Sequence, residues 1–275
     1  MNKNITVLIA AIIMACTLSA CGSLSAADTA GTQKMHIVTT IFPEYDWVMN
    51  ILGENSASAE VTMLLDNGVD LHSYQPSAED ILNISTCDMF IYVGGESDEW
   101  VEDALKEATN KNMAIVNLLD VLGDAVKEEE MTEGMQEDEH DHEHEHEDAD
   151  DHEDEDDHEH EDPDEHEEEH EYDEHVWLSL RNAAVLTQYI SKELGRIDEG
   201  NAAAYEKNAA AYIEKLKALD EQYTDAVSSG RVKTLLFGDR FPFRYLTDDY
   251  GLSYYAAFAG CSAETEASFE TITFL

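Results

Sequence analysis

The chain has few basic residues, and it lacks the motifs of the common hydrolases. Only 15 Lys and Arg stand against 62 Asp and Glu, and the formal net charge is −47 at pH 7. Such a balance provides no basic stripe that could displace counterions from phosphates, which excludes nucleic acid as a partner. The absence of a His-Glu-x-x-His motif and of a nucleophile-elbow Ser or Cys argues against a zinc hydrolase, so no catalytic residue is assigned.

Most of the negative charge lies in residues 137–175, where 39 residues include 26 Asp or Glu and 10 His. With almost no apolar side chain to bury, residues 137–174 are expected to form a disordered loop. A tract that only kept the chain soluble would need acids but not histidines, so we interpret it as metal-handling. Imidazole also favours transition metals over Ca²⁺ or Mg²⁺. The histidines predicted to bind metal weakly are His140, His142, His144, His146, His152, His158, His160, His166 and His170.

The N-terminus has the pattern of a secretory signal: Lys3 precedes an apolar run, 5–18, that is too short for a stable membrane span. Leu18-Ser19-Ala20-Cys21 resembles the lipobox of bacterial lipoproteins, in which the cysteine is lipidated. We therefore expect a signal peptide over 1–20, lipidation at Cys21 and a tether over 21–34. The mature protein would be extracytoplasmic and anchored to the bacterial cell membrane by lipid.

Only two cysteines remain once Cys16 leaves with the signal and Cys21 is lipidated. Cys87 and Cys261 both lie beside apolar segments. They would either form one disulfide in an oxidising compartment or serve as small buried residues, and both alternatives stay open.

Short β-type segments alternate with helical patterns on both sides of the acidic tract, which predicts an α/β fold with parallel sheets. We expect an N-terminal lobe over 35–136, completed by 175–197, and a partial C-terminal lobe over 230–275. Residues 198–229 form an Ala-rich helical pattern about 45 Å long, enough to link two lobes. Because the chain stops within a helical pattern without a cap, the second lobe is expected to be truncated. The predicted strands are 35–42, 59–65, 89–93, 114–119, 232–237 and 253–258.

The sequences around two histidines, His72 and His175, indicate that their side chains are held in a defined position. His72 lies in the turn-rich segment 67–76 after a predicted parallel strand, at the sheet edge where open α/β proteins bind ligands. His175 ends the acidic tract, and the apolar Val176-Trp177-Leu178 that follows should pack and hold its imidazole in place. Both side chains are therefore candidate metal ligands.

These segments resemble the metal-binding lipoprotein receptors of bacterial zinc and manganese ABC importers. Residues 68–76 (GVDLHSYQP) are similar to the family motif Gly-x-Asp-Pro-His-x-Tyr-x-Pro, and residues 174–179 (EHVWLS) are similar to Asp-Pro-His-x-Trp-Leu-Asp. The histidine of each motif binds metal in that family, and an acidic His-rich loop before the second one is typical of its zinc branch. The long helix matches the helix that joins the two lobes.

The resemblance implies a monomeric receptor that binds Zn²⁺ rather than Mn²⁺, with an ABC permease and its ATPase as partners. It does not imply an enzyme. The alternative is a surface metal buffer or adhesin of the same fold without transport.

The third ligand position departs from the family pattern. The family has His or Glu before x-Ala-Phe-x-Tyr, and aligning that motif on Phe243 and Tyr245 places Arg240 at the ligand position. A guanidinium has no free lone pair and cannot ligate, so we expect Asp239 to take its place. The alternative is an Asp–Arg pair that caps the following helix. The predicted set, His72, His175 and Asp239, gives two imidazoles and one carboxylate, which suit tetrahedral zinc. Manganese would require more oxygen donors.

Overall fold

The computed structural model describes residues 34–66, 68–136, 171–262 and 266–275. Residues from Met35 to Leu275 form one compact unit. The predicted signal peptide, Cys21, the tether up to residue 33 and the nine auxiliary histidines lie outside the described residues. No helix within the described ranges is long and apolar enough to cross a membrane.

The first sheet has four parallel strands in the order β2-β1-β3-β4, which confirms the parallel α/β prediction. Its central strands carry apolar side chains on both faces, as expected for a parallel sheet covered on both sides. Ile37, Val38, Phe90 and Ile91 are all fully buried. The strands are β1 (Met35–Thr39), β2 (Ala59–Met63), β3 (Met89–Tyr92) and β4 (Ala114–Asn117).

Helices connect these strands, and their termini follow local sequence signals. Pro43 lies in the first turn of the first helix, where its missing N–H is not needed. Ser77 caps the second helix: its Oγ accepts from the backbone N–H of Asp80, whose carboxylate accepts from the N–H of Ser77 in return. The helices are α1 (Phe42–Leu52), α2 (Ala78–Thr86), α3 (Trp100–Lys106), α4 (Leu118–Leu122) and α5 (Leu180–Ile197).

The predicted linking helix is present as α6, Ala202–Ser229, with 28 residues. In the first half of the helix, the hydroxyl of Tyr212 donates to Asp46 of α1 at 2.8 Å. Further along, Asp220 accepts from the hydroxyl of Tyr250, in the second lobe, at 2.9 Å. The helix therefore contacts both lobes along its length.

The second lobe contains a parallel pair of strands, β5 (Thr234–Arg240) and β6 (Ser253–Phe258), with α7 (Arg244–Tyr250) and α8 (Phe269–Phe274). Strand β5 begins two residues later than the predicted strand 232–237 and ends three residues beyond it. Phe237 pairs with Ala256 and Arg240 with Phe258, so β5 has an extra residue between these two pairs. Such a bulge reverses the alternation of side chains, which places Arg240 on the same face as Phe237.

The return of the chain from the acidic tract corrects the predicted loop boundary. Residues 171–174 were expected to be disordered, yet Asp173 and Glu174 are only 1% and 2% exposed. The N–H of Glu129 donates to the carbonyl of Glu171, and that of Asp173 donates to the carbonyl of Lys127. The prediction of disorder was based on amino-acid composition alone. Composition cannot reveal that the backbone of an earlier segment, at Lys127 and Glu129, pairs with these residues.

Candidate metal centre

The two predicted histidines meet at the carboxyl ends of the first sheet's strands. His72 lies in a 3₁₀ turn, Leu71–Ser73, after β2, and His175 directly precedes a second 3₁₀ turn, Val176–Leu178. Their Nε2 atoms are 3.2 Å apart, although the residues are separated by 103 positions in the chain. The structure therefore brings together the two imidazoles that the sequence motifs singled out.

Asp173 fixes the imidazole of His175. Its Oδ1 accepts from the backbone N–H of His175 at 2.9 Å and lies 3.1 Å from the ring Nδ1. In the tautomer that donates from Nδ1 to this carboxylate, the ring lone pair is on Nε2. Val176, which is fully buried, anchors the turn that follows, as expected from the sequence. A carboxylate behind a histidine is the arrangement that orients metal-binding imidazoles.

His72 is held from three sides. Its backbone N–H donates to Oδ1 of Asp70, its Nδ1 lies 2.9 Å from Oγ of Ser97, and Glu174 Oε2 is 3.5 Å from that same nitrogen. Burial, followed by the proximity of His175, lowers the pKa of His72 to about 4. The imidazole is therefore neutral at physiological pH, and its Nε2 faces Nε2 of His175.

Two converging imidazole nitrogens are suited to a divalent transition metal. Zinc binds imidazole nitrogen at about 2.0–2.1 Å, and a tetrahedral angle then separates two such nitrogens by about 3.3 Å. The observed 3.2 Å between the Nε2 atoms matches that separation. The residues present therefore fit a zinc ion between His72 and His175.

Asp239, the third predicted ligand, lines the same cleft but is not in the close group of donor atoms around the two histidines. Asp239 is exposed and its Oδ1 accepts from the backbone N–H of Arg240 at 2.8 Å. The bulge in β5 instead aims Arg240 at the first lobe, where its Nη2 donates to Oδ2 of Asp70 at 3.0 Å. Arg240 therefore pairs with an acid from the loop that carries His72, whereas the sequence alternative had paired it with Asp239 as a helix cap.

Cys261 joins the two histidines in the structure. One ligand atom from each of His72, His175 and Cys261 lies within 4.8 Å of the other two, and Asp239 is not in this group. Both Cys87 and Cys261 are free, so the disulfide alternative is wrong. Burial, followed by the charge of Glu129, raises the pKa of the Cys261 thiol well above its usual value. The signal available in the sequence was its position just after β6, at the carboxyl end of the second parallel sheet.

Sequence reasoning also missed the buried acids behind the histidines. Burial raises the pKa of Glu174 to about 7 and that of Asp98 to about 6. The Asp98 Oδ2 accepts from the N–H of Gly94, whereas its buried Oδ1 has no hydrogen-bond partner among the described residues. Asp173 and Glu174 directly precede His175 in the sequence, but the acidic tract around them concealed their role.

Weakening the acceptor behind His175 should weaken metal binding. We expect Asp173→Asn to lower zinc affinity by about tenfold, since loss of such a partner costs 10–100-fold in other metal sites and the amide oxygen still accepts. Competition with a chromogenic chelator measures the change. Asp88→Asn is the matched control, because Asp88 accepts from the backbone N–H of His36 away from the centre. Equal losses in both variants would contradict a specific role for Asp173.

The ionised Asp98 side chain should destabilise the metal-free fold. Because its pKa in the fold, about 6, lies above its ordinary value, the folded state binds this proton more tightly than the unfolded chain. We expect Asp98→Asn to raise the free energy of unfolding by about 1–3 kcal/mol near pH 8, with the gain disappearing as the pH falls through 6 toward 4. Urea unfolding with chelator at several pH values tests this, with the exposed Asp124→Asn as control. A gain independent of pH would contradict the assignment.

His72 and His175 line a cleft of about 680 Å³, and Asp239 lies in the wall of the same cleft. Apolar side chains from the first lobe (Ile41, Leu65) and the second (Phe237, Phe243) form much of its wall. An apolar wall lowers the local dielectric, which strengthens the interaction of a bound cation with its donors. The cleft therefore combines a largely apolar wall with converging nitrogen donors.

Comparisons with known proteins agree with this geometry. The family model for "Zinc-uptake complex component A periplasmic" (ZnuA) matches residues 37–275. Zinc-binding lipoprotein AdcA of Streptococcus pneumoniae is 33% identical over 266 residues, which are 97% of this chain and 46% of that protein. High-affinity zinc uptake system protein ZnuA of Bacillus subtilis is 31% identical over 261 residues, covering 94% of this chain and 72% of that protein.

Structural similarity points the same way. The crystal structure of Zn(II)-bound AdcA from Streptococcus pneumoniae aligns with a TM-score of 0.61 and 28% identity, covering 87% of this chain and 42% of that one. The chain thus spans about half the length of the first curated relative it matches. The resemblance inferred from the motifs and the predicted fold class are both confirmed, and the family is one of transport components rather than enzymes. Because the family match extends over most of its length, the chain belongs to the ZnuA family of periplasmic zinc-uptake components.

Proposed function

We propose that this protein is an extracytoplasmic receptor that captures Zn²⁺ between His72 and His175 and delivers it to an ABC importer. The observation that carries the proposal is the pair of Nε2 atoms 3.2 Å apart, each belonging to a ring whose Nδ1 faces a fixed partner. Relatives described as zinc-binding and zinc-uptake proteins support zinc as the metal. Nitrogen donors favour zinc over manganese, which prefers oxygen.

A titration of the metal-free protein tests the choice of metal. We expect one tight site for Zn²⁺ and a much weaker response to Mn²⁺, because the two imidazole nitrogens are already close together and zinc prefers nitrogen donors. Isothermal calorimetry with a competing chelator gives both affinities. Absence of a tight site, or a preference for Mn²⁺, would refute the proposal.

Delivery to a permease and its ATPase is the second part of the proposal, with a monomeric receptor held at the membrane by lipid on Cys21. The periplasmic family supports an extracytoplasmic location. In proteoliposomes that contain the permease and ATPase, zinc-loaded receptor should stimulate ATP hydrolysis and zinc uptake, and metal-free receptor should not. Equal stimulation by both forms would favour a metal buffer without transport.

The acidic His-rich tract is proposed to act as a weak antenna that raises the local metal concentration. Its flanks are paired in the described structure: Glu128 and Tyr172 form an antiparallel bridge, so a short linker can replace the residues between them. We expect replacement of residues 137–170 by a Gly-Ser linker to leave one tight zinc site and to remove the weak stoichiometry, which calorimetry resolves. Loss of the tight site in this variant would contradict a purely auxiliary role.

A further inference from the structure

The thiol of Cys261 lies beside the two histidines. Its Sγ is 4.0 Å from Nδ1 of His175, and one donor atom from each of the three residues fits within 4.8 Å. Among the described residues, the group of three His, Cys, Asp or Glu side chains with donor atoms within this distance consists of His72, His175 and Cys261. The first lobe supplies both imidazoles, and the segment after β6 supplies the sulfur.

The backbone around Cys261 is positioned by contacts from the first lobe. Its N–H donates to Oε1 of Glu129 at 2.7 Å. The preceding Gly260 packs directly on the His175 ring, since a Cβ at that residue would lie 3.2 Å from two ring atoms. The segment 260–261 therefore packs against the His175 ring, and this contact together with the Glu129 hydrogen bond positions Cys261 next to the metal centre.

The neighbouring second-lobe side chains Arg240 and Asp239 do not contribute a donor atom to this group. Arg240 cannot ligate and is paired with Asp70, while Asp239 is exposed and accepts from the backbone of Arg240. A zinc ion held by two imidazoles requires further donors to approach four-coordination, and thiolate is among the ligands zinc prefers. Of these three second-lobe residues, only Cys261 places its donor in the group.

We propose that Cys261 is a third zinc ligand, so that the capture site is a His₂Cys centre completed by one further donor. This inference rests on the proposed function, because it assigns a ligand to the same zinc site. When Zn²⁺ binds, a zinc–sulfur bond forms and the thiol proton leaves to solvent, as coordination by a divalent cation requires. Zinc sites with tetrahedral angles separate nitrogen and sulfur donors by about 3.5 Å, so donor atoms that lie within 4.8 Å of one another have to close in by at most about 1.3 Å.

A thiolate ligand would also increase the selectivity of the site for zinc over manganese. Thiolate is a soft donor that suits zinc and disfavours manganese, whose preferred ligands are oxygens. The departure at Arg240 removes the family's usual third ligand, and the sulfur then provides a donor that selects against manganese at the same centre. The ratio of zinc to manganese affinity therefore depends on residue 261.

Cobalt substitution gives a direct spectroscopic test on the full chain. The Co²⁺-loaded protein should show near-ultraviolet thiolate-to-cobalt charge-transfer absorption, and Cys261→Ser should abolish it. Zinc affinity should fall by about 10–100-fold in Cys261→Ser, with a smaller zinc-to-manganese ratio. Cys261→His, which restores a donor, should recover affinity without the sulfur absorption, which separates ligation from a folding defect.

The other cysteines are the controls. Cys16→Ser, Cys21→Ser and Cys87→Ser should each retain the absorption; Cys87 is buried with its Sγ close to the carbonyl of Ile84 and the sulfur of Met113. Absence of charge transfer in the parent protein, or its persistence in Cys261→Ser, would overturn the ligand assignment. If zinc binding is tight and unchanged in Cys261→Ser, the assignment fails while the receptor function stands. If binding is also indifferent to His72 and His175, the receptor function fails as well.

Discussion

The His175→Ala and His72→Ala variants are each expected to lose tight zinc binding, with affinity reduced on the order of 10³-fold, or about 4 kcal/mol. Each substitution removes one of two nitrogen donors whose Nε2 atoms lie 3.2 Å apart. The single imidazole that remains binds zinc much more weakly, because one of the two preorganised nitrogen donors has been lost. Chelator competition measures the affinities, and calorimetry separates this site from weak binding elsewhere.

The chain provides matched controls for this experiment. His36 belongs to the same lobe, at the edge of β1, and its Nε2 lies 3.4 Å from Thr62 rather than at the centre. His36→Ala and Asp239→Ala should therefore bind zinc as tightly as the parent protein. Tight binding retained in His175→Ala, or lost equally in His36→Ala, would show that the metal binds elsewhere. Loss in Asp239→Ala would restore the ligand that the sequence suggested.

Restoring a donor at residue 240 is expected to tighten binding. We predict that Arg240→His raises zinc affinity by about 10–100-fold, since it replaces a cation beside the centre with a third imidazole. The bulge in β5 directs this position toward the Asp70 loop, next to His72. The Arg240–Asp70 pair is partly exposed on both sides, so its loss should have little effect on folding stability.

The contribution of charge is separated by a second variant. Arg240→Gln removes the positive charge without adding a strong donor, so its gain in zinc affinity should be well below that of Arg240→His. Equal gains would attribute the effect to electrostatics alone. No gain in Arg240→His would place residue 240 out of reach of the metal. Both variants can be compared by chelator competition at high and low salt, because the charge effect is screened whereas ligation is not.

Local patterns were sufficient for most of the fold. Strand β6 begins at Ser253 and ends at Phe258 as predicted, and the long helix lies within a few residues of its predicted bounds. These elements depend on side-chain periodicity and capping within a short window, which the sequence contains in full. The bounds of β5 were wrong at both ends because its register depends on β6 and on a bulge.

The sequence by itself determined the chemistry of the protein: an acidic, histidine-rich chain with two motif histidines on an α/β scaffold. His72 and His175 were predictable because each lies in a recognisable local motif. Only the tertiary structure decided their neighbours. Asp173 and Cys261 reach His175 from a backbone pairing and from the second lobe, and a one-residue bulge turned Arg240 rather than Asp239 toward the Asp70 loop. Ligand geometry depends on distances between remote segments, whereas motifs record only the order of residues along the chain.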